Sequence, residues 1–435
     1  VQKAGAGAES KQAGSPIPDS SPEKKVGTQQ SGTSTTPGEG PPAPPPEAVT
    51  VRPLATAPSA APGDTADEIG GGGGGGGGDG NSLETRLSGA RRKALLRSGG
   101  GTPESEEAVQ LALKWLAAHQ QNNGSWSFQH VTHPECNGQC ENPGHNQSKI
   151  AATSLALLPF LGTGQTHTNG KYKRTIDMGL KYLVGVIRYE GKLGSLWDGP
   201  GTMYGHGLAS IVLCEAYGMT HDRALREPAQ AVVDFIVDAQ DPGGGGWRYQ
   251  PRMPGDTSVV GWQLMALKSA QMAELRVPAD TLKKTGFFLD SVQSDDGTAY
   301  GYIGPETGQA TTAIGLLCRM YLGWSRDVRA LEGGVQVLGT LGPATDSADM
   351  YYNYYATQVM HHWGGNPWKR WNAVMRDYLV GSQSRHGHKL GSWYFDGGDR
   401  GSNDGGRLYY TAMAAMILEV YYRHMPLYRK QLVSD

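Results

Sequence analysis

The densest chemistry in the sequence lies between residues 130 and 145. Five groups fall there: His130, His133, Cys136, Cys140 and His145. Thiolates at Cys-x3-Cys spacing with flanking imidazoles match the range used for zinc, so Cys136, Cys140, His133 and His145 are candidate ligands of a structural zinc ion. A Cys136–Cys140 disulfide is the rival reading, which an exported domain would favour, and a loop with neither is the third. Cys214 and Cys318 lie on apolar helical stretches and read as buried free thiols. A second polar loop carries His386, His388, Asp396, Asp399, Asp404 and Arg407. Its oxygens suit a hard cation, but the spacing is not that of an EF-hand, and a solvated turn is expected. His361 and His362 close a helix, where a C-terminal dipole contact or a core role is expected.

These groups belong to a chain of two compositions. The first 100 of 435 residues hold 21 Gly and 12 Pro but no Phe, Trp, Tyr, His, Cys or Met. Such a segment cannot bury enough apolar surface to offset its ordering entropy, so residues 1–102 are expected to be a disordered tail and linker. The prolines from Pro41 to Pro46 favour extended conformers, and the nine glycines from Gly70 to Gly78 a flexible joint. The basic stretch around Arg86, Arg91, Arg92, Lys93 and Arg97 is expected to be solvated linker. A weak helix touching an acidic or membrane surface is its alternative. The tail then acts as a tether, and a membrane- or envelope-anchoring segment before Val1 is compatible with it. A formal net charge of -2 gives no global basic field and argues against a binder relying on counterion release from nucleic acid. No apolar run is long enough for a transmembrane helix.

Helical periodicity begins at Pro103. Helices are expected near 104–121, 149–162, 172–187, 204–218, 222–240, 256–274, 278–294, 309–322, 327–341, 350–364, 367–383 and 406–424. Capping signals recur, as in Thr102-Pro103, Asn366-Pro367 and Asp256-Thr257-Ser258. The first helix of each successive pair is amphipathic, while the second, such as Ala151 to Leu158 or Thr411 to Leu418, is apolar or small almost all round. Helices lacking a polar face are buried, so the fold is expected to be all-α with two concentric layers. A repeat ends the amphipathic helices. Leu116, Gln120, Gly124 and Trp126 recur as Ile236, Gln240, Gly245 and Trp247, and again as Leu379, Gln383, Gly391 and Trp393. Leu289, Gln293, Gly297 and Tyr300 form a weaker copy. A further copy from Leu183 to Gly194 and Trp197 lacks the Gln.

These Gln…Gly-x-Trp copies, with six helix pairs, resemble the repeat of squalene cyclases and prenyltransferases. The resemblance covers residues 103–430 and implies an α6/α6 toroid, six inner helices ringing a cavity inside six outer ones. Thr202-Met203-Tyr204-Gly205-His206-Gly207 and Asp256 to Gln263 resemble a bacterial subgroup of cyclase-like repeat proteins with Pro-rich tails. Terpene cyclases of the second class protonate an alkene with an Asp-x-Asp-Asp acid. At the matching place this chain has Met253-Pro254-Gly255-Asp256, so Asp256 is the one catalytic candidate left, and a helix cap is its plainer role. The zinc site of prenyltransferases would need Cys and His where this chain has Tyr351 and Tyr410, next to Asp349.

What stands there instead is aromatic. By the resemblance, Tyr204, His206, Trp262, Tyr351, Tyr354, Tyr355, Tyr409 and Tyr410 would line a cup at the inner-helix N-termini. Such a cup could hold an isoprenoid or other apolar molecule or lipid, or stabilise a cation on ring faces; packed core aromatics are the plain alternative. The functional expectation is a cyclase-like protein that binds an apolar ligand without the usual acid motif. An active cyclase or prenyltransferase of altered mechanism, and a scaffold engaging a protein through the toroid face or tail, are the alternatives. No cofactor is required beyond a possible structural zinc.

Overall fold

The computed structural model describes residues 83–198, 202–399 and 401–428. The Pro- and Gly-rich tail, with its expected disorder and nine-glycine joint, lies outside the described residues. In chain order the helices are α1 (Gly89–Gly99), α2 (Pro103–Ala118), α3 (Lys149–Gly162), α4 (Lys173–Gly185) and α5 (Met203–Thr220). They continue with α6 (Arg223–Asp238), α7 (Thr257–Met272), α8 (Ala279–Val292), α9 (Gln309–Tyr321) and α10 (Arg329–Leu341). The last are α11 (Met350–Trp363), α12 (Gly365–Ser382), α13 (Gly401–Asp404), α14 (Gly406–Leu418) and α15 (Val420–Arg423). Two short antiparallel hairpins, unexpected from the sequence, sit in outer-to-inner connections. In one, Arg188–Glu190 pairs with Leu193–Ser195; in the other, Gln293–Ser294 pairs with Ala299–Tyr300.

The alternation in apolar character becomes two rings. Helix α3 packs on α5, α5 on α7, α7 on α9, α9 on α11, α11 on α14, and α14 returns to α3. The closed inner ring explains why these helices lack a polar face: α3 is buried at every position from Ile150 to Gly162. The outer helices cover the ring with one stripe each. In α6 the stripe is Leu225, Ala229, Val232, Val233 and Ile236. The fold is an α/α toroid of six inner and six outer helices.

The repeated Gln and Trp supply the joints between successive outer helices. Trp126, Trp247 and Trp393 donate their indole N–H to the carbonyls of Leu116, Ile236 and Leu379, at 2.7, 2.8 and 2.8 Å. The amide of Gln240 donates to Gly245 in its own loop and to Thr281 of the next outer helix. Gln120 bonds Gly124 and Thr175 in the same way. Gln383 bonds Gly391 and then Ala108, on the first outer helix, so the same joint closes the ring. The adjacent glycines must be glycines. Gly245 has φ +76°, and a Cβ there would lie 2.1 Å from the Lys284 carbonyl. In the weaker copy Arg319 holds both Gln293 and Tyr300. Trp197 is only half-buried and departs from the pattern, its neighbour Leu196 taking the core place.

The boundary expected at residue 102 falls too late. Residues Leu83–Leu87 form a 3-10 turn packed on α5, and α1 packs on α15. Leu83 and Arg86 are buried, and Arg92 donates to the Thr163 carbonyl at 2.6 Å. A basic, low-hydropathy segment is drawn in because the toroid base offers carbonyls and carboxylates, which periodicity cannot register. No helix among the described residues is long and apolar enough to cross a membrane.

Candidate functional site

A chamber of about 760 Å³ opens among the N-terminal turns of α3, α5, α7, α11 and α14. Ser148, Thr202, Asp256 and Asp349 cap four of those helices, each accepting a backbone N–H. The capping of three of them thus also sets Ser148, Thr202 and Asp349 on the chamber wall. Deeper in the wall lie Phe128, Ala151, Leu155, Leu208 and Trp262. Tyr204, Tyr249, Tyr302, Tyr351 and Tyr409 ring it.

Of the eight expected cup residues, Tyr204, Trp262, Tyr351 and Tyr409 reach the chamber wall. The other four do not. Tyr354 stacks under Trp262 with ring centroids 5.5 Å apart, and Tyr355 packs against its edge at 5.6 Å. Both are fully buried backing for the floor. Tyr410 is buried behind the rim, its hydroxyl donating to Asp399 at 3.1 Å. His206 faces outward, bonded to Leu196 N and the Val232 carbonyl. Burial depresses its pKa to about 4. Resemblance marks a helix end, whereas the side-chain azimuth is set by packing.

Asp349, Asp399 and Asp404 line the chamber, and Asp256 lies buried behind the wall. Asp256 is buried and caps α7 through Val259 N at 2.9 Å, as the plainer reading had it. It also accepts Ser258 Oγ at 2.7 Å, and Ser258 Oγ lies 2.5 Å from the Tyr204 hydroxyl. A continuous hydroxyl chain therefore joins a buried carboxyl to a chamber-facing phenol. Burial raises the Asp256 pKa against the opposing bonds from Ser258 and Val259. Asp349 caps α11 through Tyr352 N at 2.8 Å, and burial raises its pKa too.

Asp399 is not the solvated turn residue the sequence suggested. Its carboxylate accepts Tyr351 N, Gly401 N and the hydroxyls of Tyr409 and Tyr410, binding the α11 and α14 ends together at the rim. Burial raises its pKa, and the charge of Asp349 adds to the rise, opposed by the donors. Arg407, in the first turn of α14, is buried and donates to Asn142 Oδ1 at 2.6 Å. Tyr249 and Tyr302, whose hydroxyls are 2.5 Å apart, were not singled out from the sequence. The only available signal was the place of Tyr249 just after Gly245-Gly246-Trp247.

Below Trp262 and its tyrosines lies a smaller cavity of about 110 Å³ lined by Arg86, Glu215, Lys268, His362, Arg423 and His424 among others. His361 and His362 are core residues, as expected, and His361 Nε2 bonds the His424 carbonyl at 2.8 Å.

The loop at 130–145 regroups its ligands. All four cysteines are free and buried, Cys214 and Cys318 as expected. His133 bonds the Gln120 carbonyl and His145 the Asn403 carbonyl. The imidazole that reaches the two thiols is His119, at the end of α2. Its ligand nitrogen and both sulfurs lie within 4.8 Å of one another. A helix-terminal His eleven residues before the loop carried no local spacing signal.

No family model and no curated protein matches this sequence. Solved structures of similar fold include cellobiose 2-epimerase from Spirochaeta thermophila. That match has TM-score 0.54 and 10% identity and covers 77% of this chain and 98% of the other. The GH76 α-mannanase of Bacteroides thetaiotaomicron matches at TM-score 0.53 and 10% identity, over 76% and 98%. A type II terpene cyclase variant from Scytonema, in complex with merosterolic acid A, matches at TM-score 0.50 and 11% identity, over 75% and 98%. These likenesses place the chain among α/α toroid proteins, a fold shared by unrelated chemistries.

Proposed function

We propose that the chamber binds a neutral or cationic, largely apolar molecule of isoprenoid type, its polar end at the acidic mouth. The observation that carries this reading is the division of the wall. Trp262, Leu155, Leu208 and Phe128 form the apolar part, and Asp349, Asp399 and Asp404 supply its charge. Among the described residues no Lys or Arg lines it. An anionic diphosphate head would meet like charge there, so a prenyl-diphosphate substrate fits poorly. Aromatic faces on an apolar well favour unsaturated carbon or a developing cation. This keeps the squalene-cyclase-like ligand class while setting aside the prenyltransferase alternative.

A second reading, an active enzyme of altered mechanism, is favoured by the Asp256–Ser258–Tyr204 chain. With Asp256 protonated, the Ser258 hydroxyl would turn to accept from it and donate to Tyr204, so the proton passes from Asp256 to Ser258, from Ser258 to Tyr204 and from Tyr204 to the bound molecule, leaving the carboxylate inside the wall. The deciding experiment is native mass spectrometry of protein from its source organism, with thermal-shift titrations of geranylgeraniol, squalene and cellobiose. Retention of an apolar mass, lost in Trp262→Ala/Tyr351→Ala, supports the binding reading. A shift with cellobiose alone would refute it. Turnover abolished by Tyr204→Phe, with binding kept, would mark the enzyme.

A further inference from the structure

His119, Cys136 and Cys140 meet at the seam where the first and last repeats close the toroid. His119 ends α2, the cysteines belong to the loop between α2 and α3, and His388 stands on the Gly387–Lys389 turn before α14. His119 Nε2 is 3.2 Å from Cys140 Sγ, and its Nδ1 is 2.7 Å from the Trp115 carbonyl. A carbonyl can only accept, so Nδ1 carries the proton and the Nε2 lone pair points at the sulfur. Metal-binding histidines are held in this way, with the far ring nitrogen fixed on a carbonyl or carboxylate. Trp115 packs on the imidazole with ring centroids 4.1 Å apart and leaves it little freedom to turn. The pocket beside the cluster, about 170 Å³, is lined by His119, Cys136 and the exposed His388.

We propose that His119 Nε2, Cys136 Sγ and Cys140 Sγ bind a structural zinc ion, with His388 as the fourth ligand. The donor set is Cys2His2, the tetrahedral type of closed structural sites. Two thiols give up their protons as the ion enters, so the ion and its two thiolates are together neutral. In the present arrangement Cys140 Sγ donates to the His388 carbonyl at 3.2 Å, a bond that the metal replaces. The neighbours show what the ion would fasten. Glu141 pairs with Lys389 at 3.0 Å, Asn142 accepts Arg407, and His145 N donates to the Asn403 carbonyl. Every one of these contacts joins the first repeat to the last across the seam where the ring closes. Zinc there would act as a clasp, far in role from the chamber chemistry.

The test is titration of the zinc-depleted, reduced full chain with cobalt(II), followed by absorption. One equivalent should bind per chain with thiolate-to-cobalt charge-transfer and tetrahedral ligand-field bands. Cys136→Ser, Cys140→Ser and His119→Ala should each weaken binding at least about tenfold and remove or shift those bands. His133→Ala and His145→Ala should leave them unchanged. His388→Ala should keep the charge-transfer band but alter the ligand-field bands, and an unaltered spectrum would overturn its assignment. Circular dichroism separates misfolded variants from folded ones, and the wild-type titration stands without any variant. Absence of the thiolate band in the reduced wild type would overturn the site. So would a two-hydrogen mass deficit in the isolated protein with no metal uptake after reduction.

Discussion

Arg86 and Glu215 form a 2.9 Å ion pair inside the toroid base, with side chains only 5% and 3% exposed. The same carboxylate takes Arg423 at 2.9 Å, and Arg423 lies 3.7 Å from Glu419, so two arginines and two glutamates share one interior. Arg86 comes from the segment before α1. One residue outside the repeats therefore joins the charge network inside the toroid base.

Breaking that pair leaves a buried charge uncompensated. Arg86→Ala should destabilise by about 3–5 kcal/mol, measured by urea unfolding. A chain beginning at residue 103 should lose at least as much relative to one beginning at residue 80. Equal midpoints would show that the segment before α2 contributes nothing to the folded ring.

The joint residues should be costly to replace although they lie far from the chamber. Gln240→Ala removes two buried bonds and leaves two carbonyls short of a donor, for about 1–3 kcal/mol. Gly245→Ala should cost more, because positive φ and the Lys284 carbonyl both oppose a Cβ. If Gly245→Ala unfolds at the wild-type urea concentration, that account fails.

Stability should fall in mild acid through the buried histidines. His206 and His361 are each held by burial near a pKa of about 4, against 6.5 when exposed. Both are neutral when folded, so between pH 6.5 and 4 the unfolded chain takes up protons that the folded chain refuses. The loss is up to about 1.4 kcal/mol per histidine per pH unit, complete near pH 4 and absent above about 7. Thermal melts across pH 4–7 should show it, and His206→Gln should flatten the slope.

The acidic mouth predicts selectivity by charge. Geranylgeranyl diphosphate should bind at least about tenfold more weakly than geranylgeraniol, a difference of ~1.4 kcal/mol. Asp349→Asn should narrow the gap. Equal affinities in calorimetric titration would remove the argument from charge.

The sequence by itself determined the twelve helices of the two rings, their alternation and the joints. Each rests on a short-range rule, such as the all-apolar run from Ala151 to Leu158 or the spacing from Gln240 to Trp247. The chain order of buried and half-exposed helices was enough to imply two layers, because an apolar surface has to be covered. What the tertiary structure alone decided is which side chains meet. Asp399 looked like a solvated turn residue until α11 and α14 brought four donors to it. His119 gave no spacing signal, yet it displaced His133 and His145 beside Cys136 and Cys140. Arg86 read as solvated linker until Glu215 and the Arg423 carbonyl held it inside the base. In every case the partners lie on different elements, so their meeting depends on how the ring closes, which no local pattern encodes.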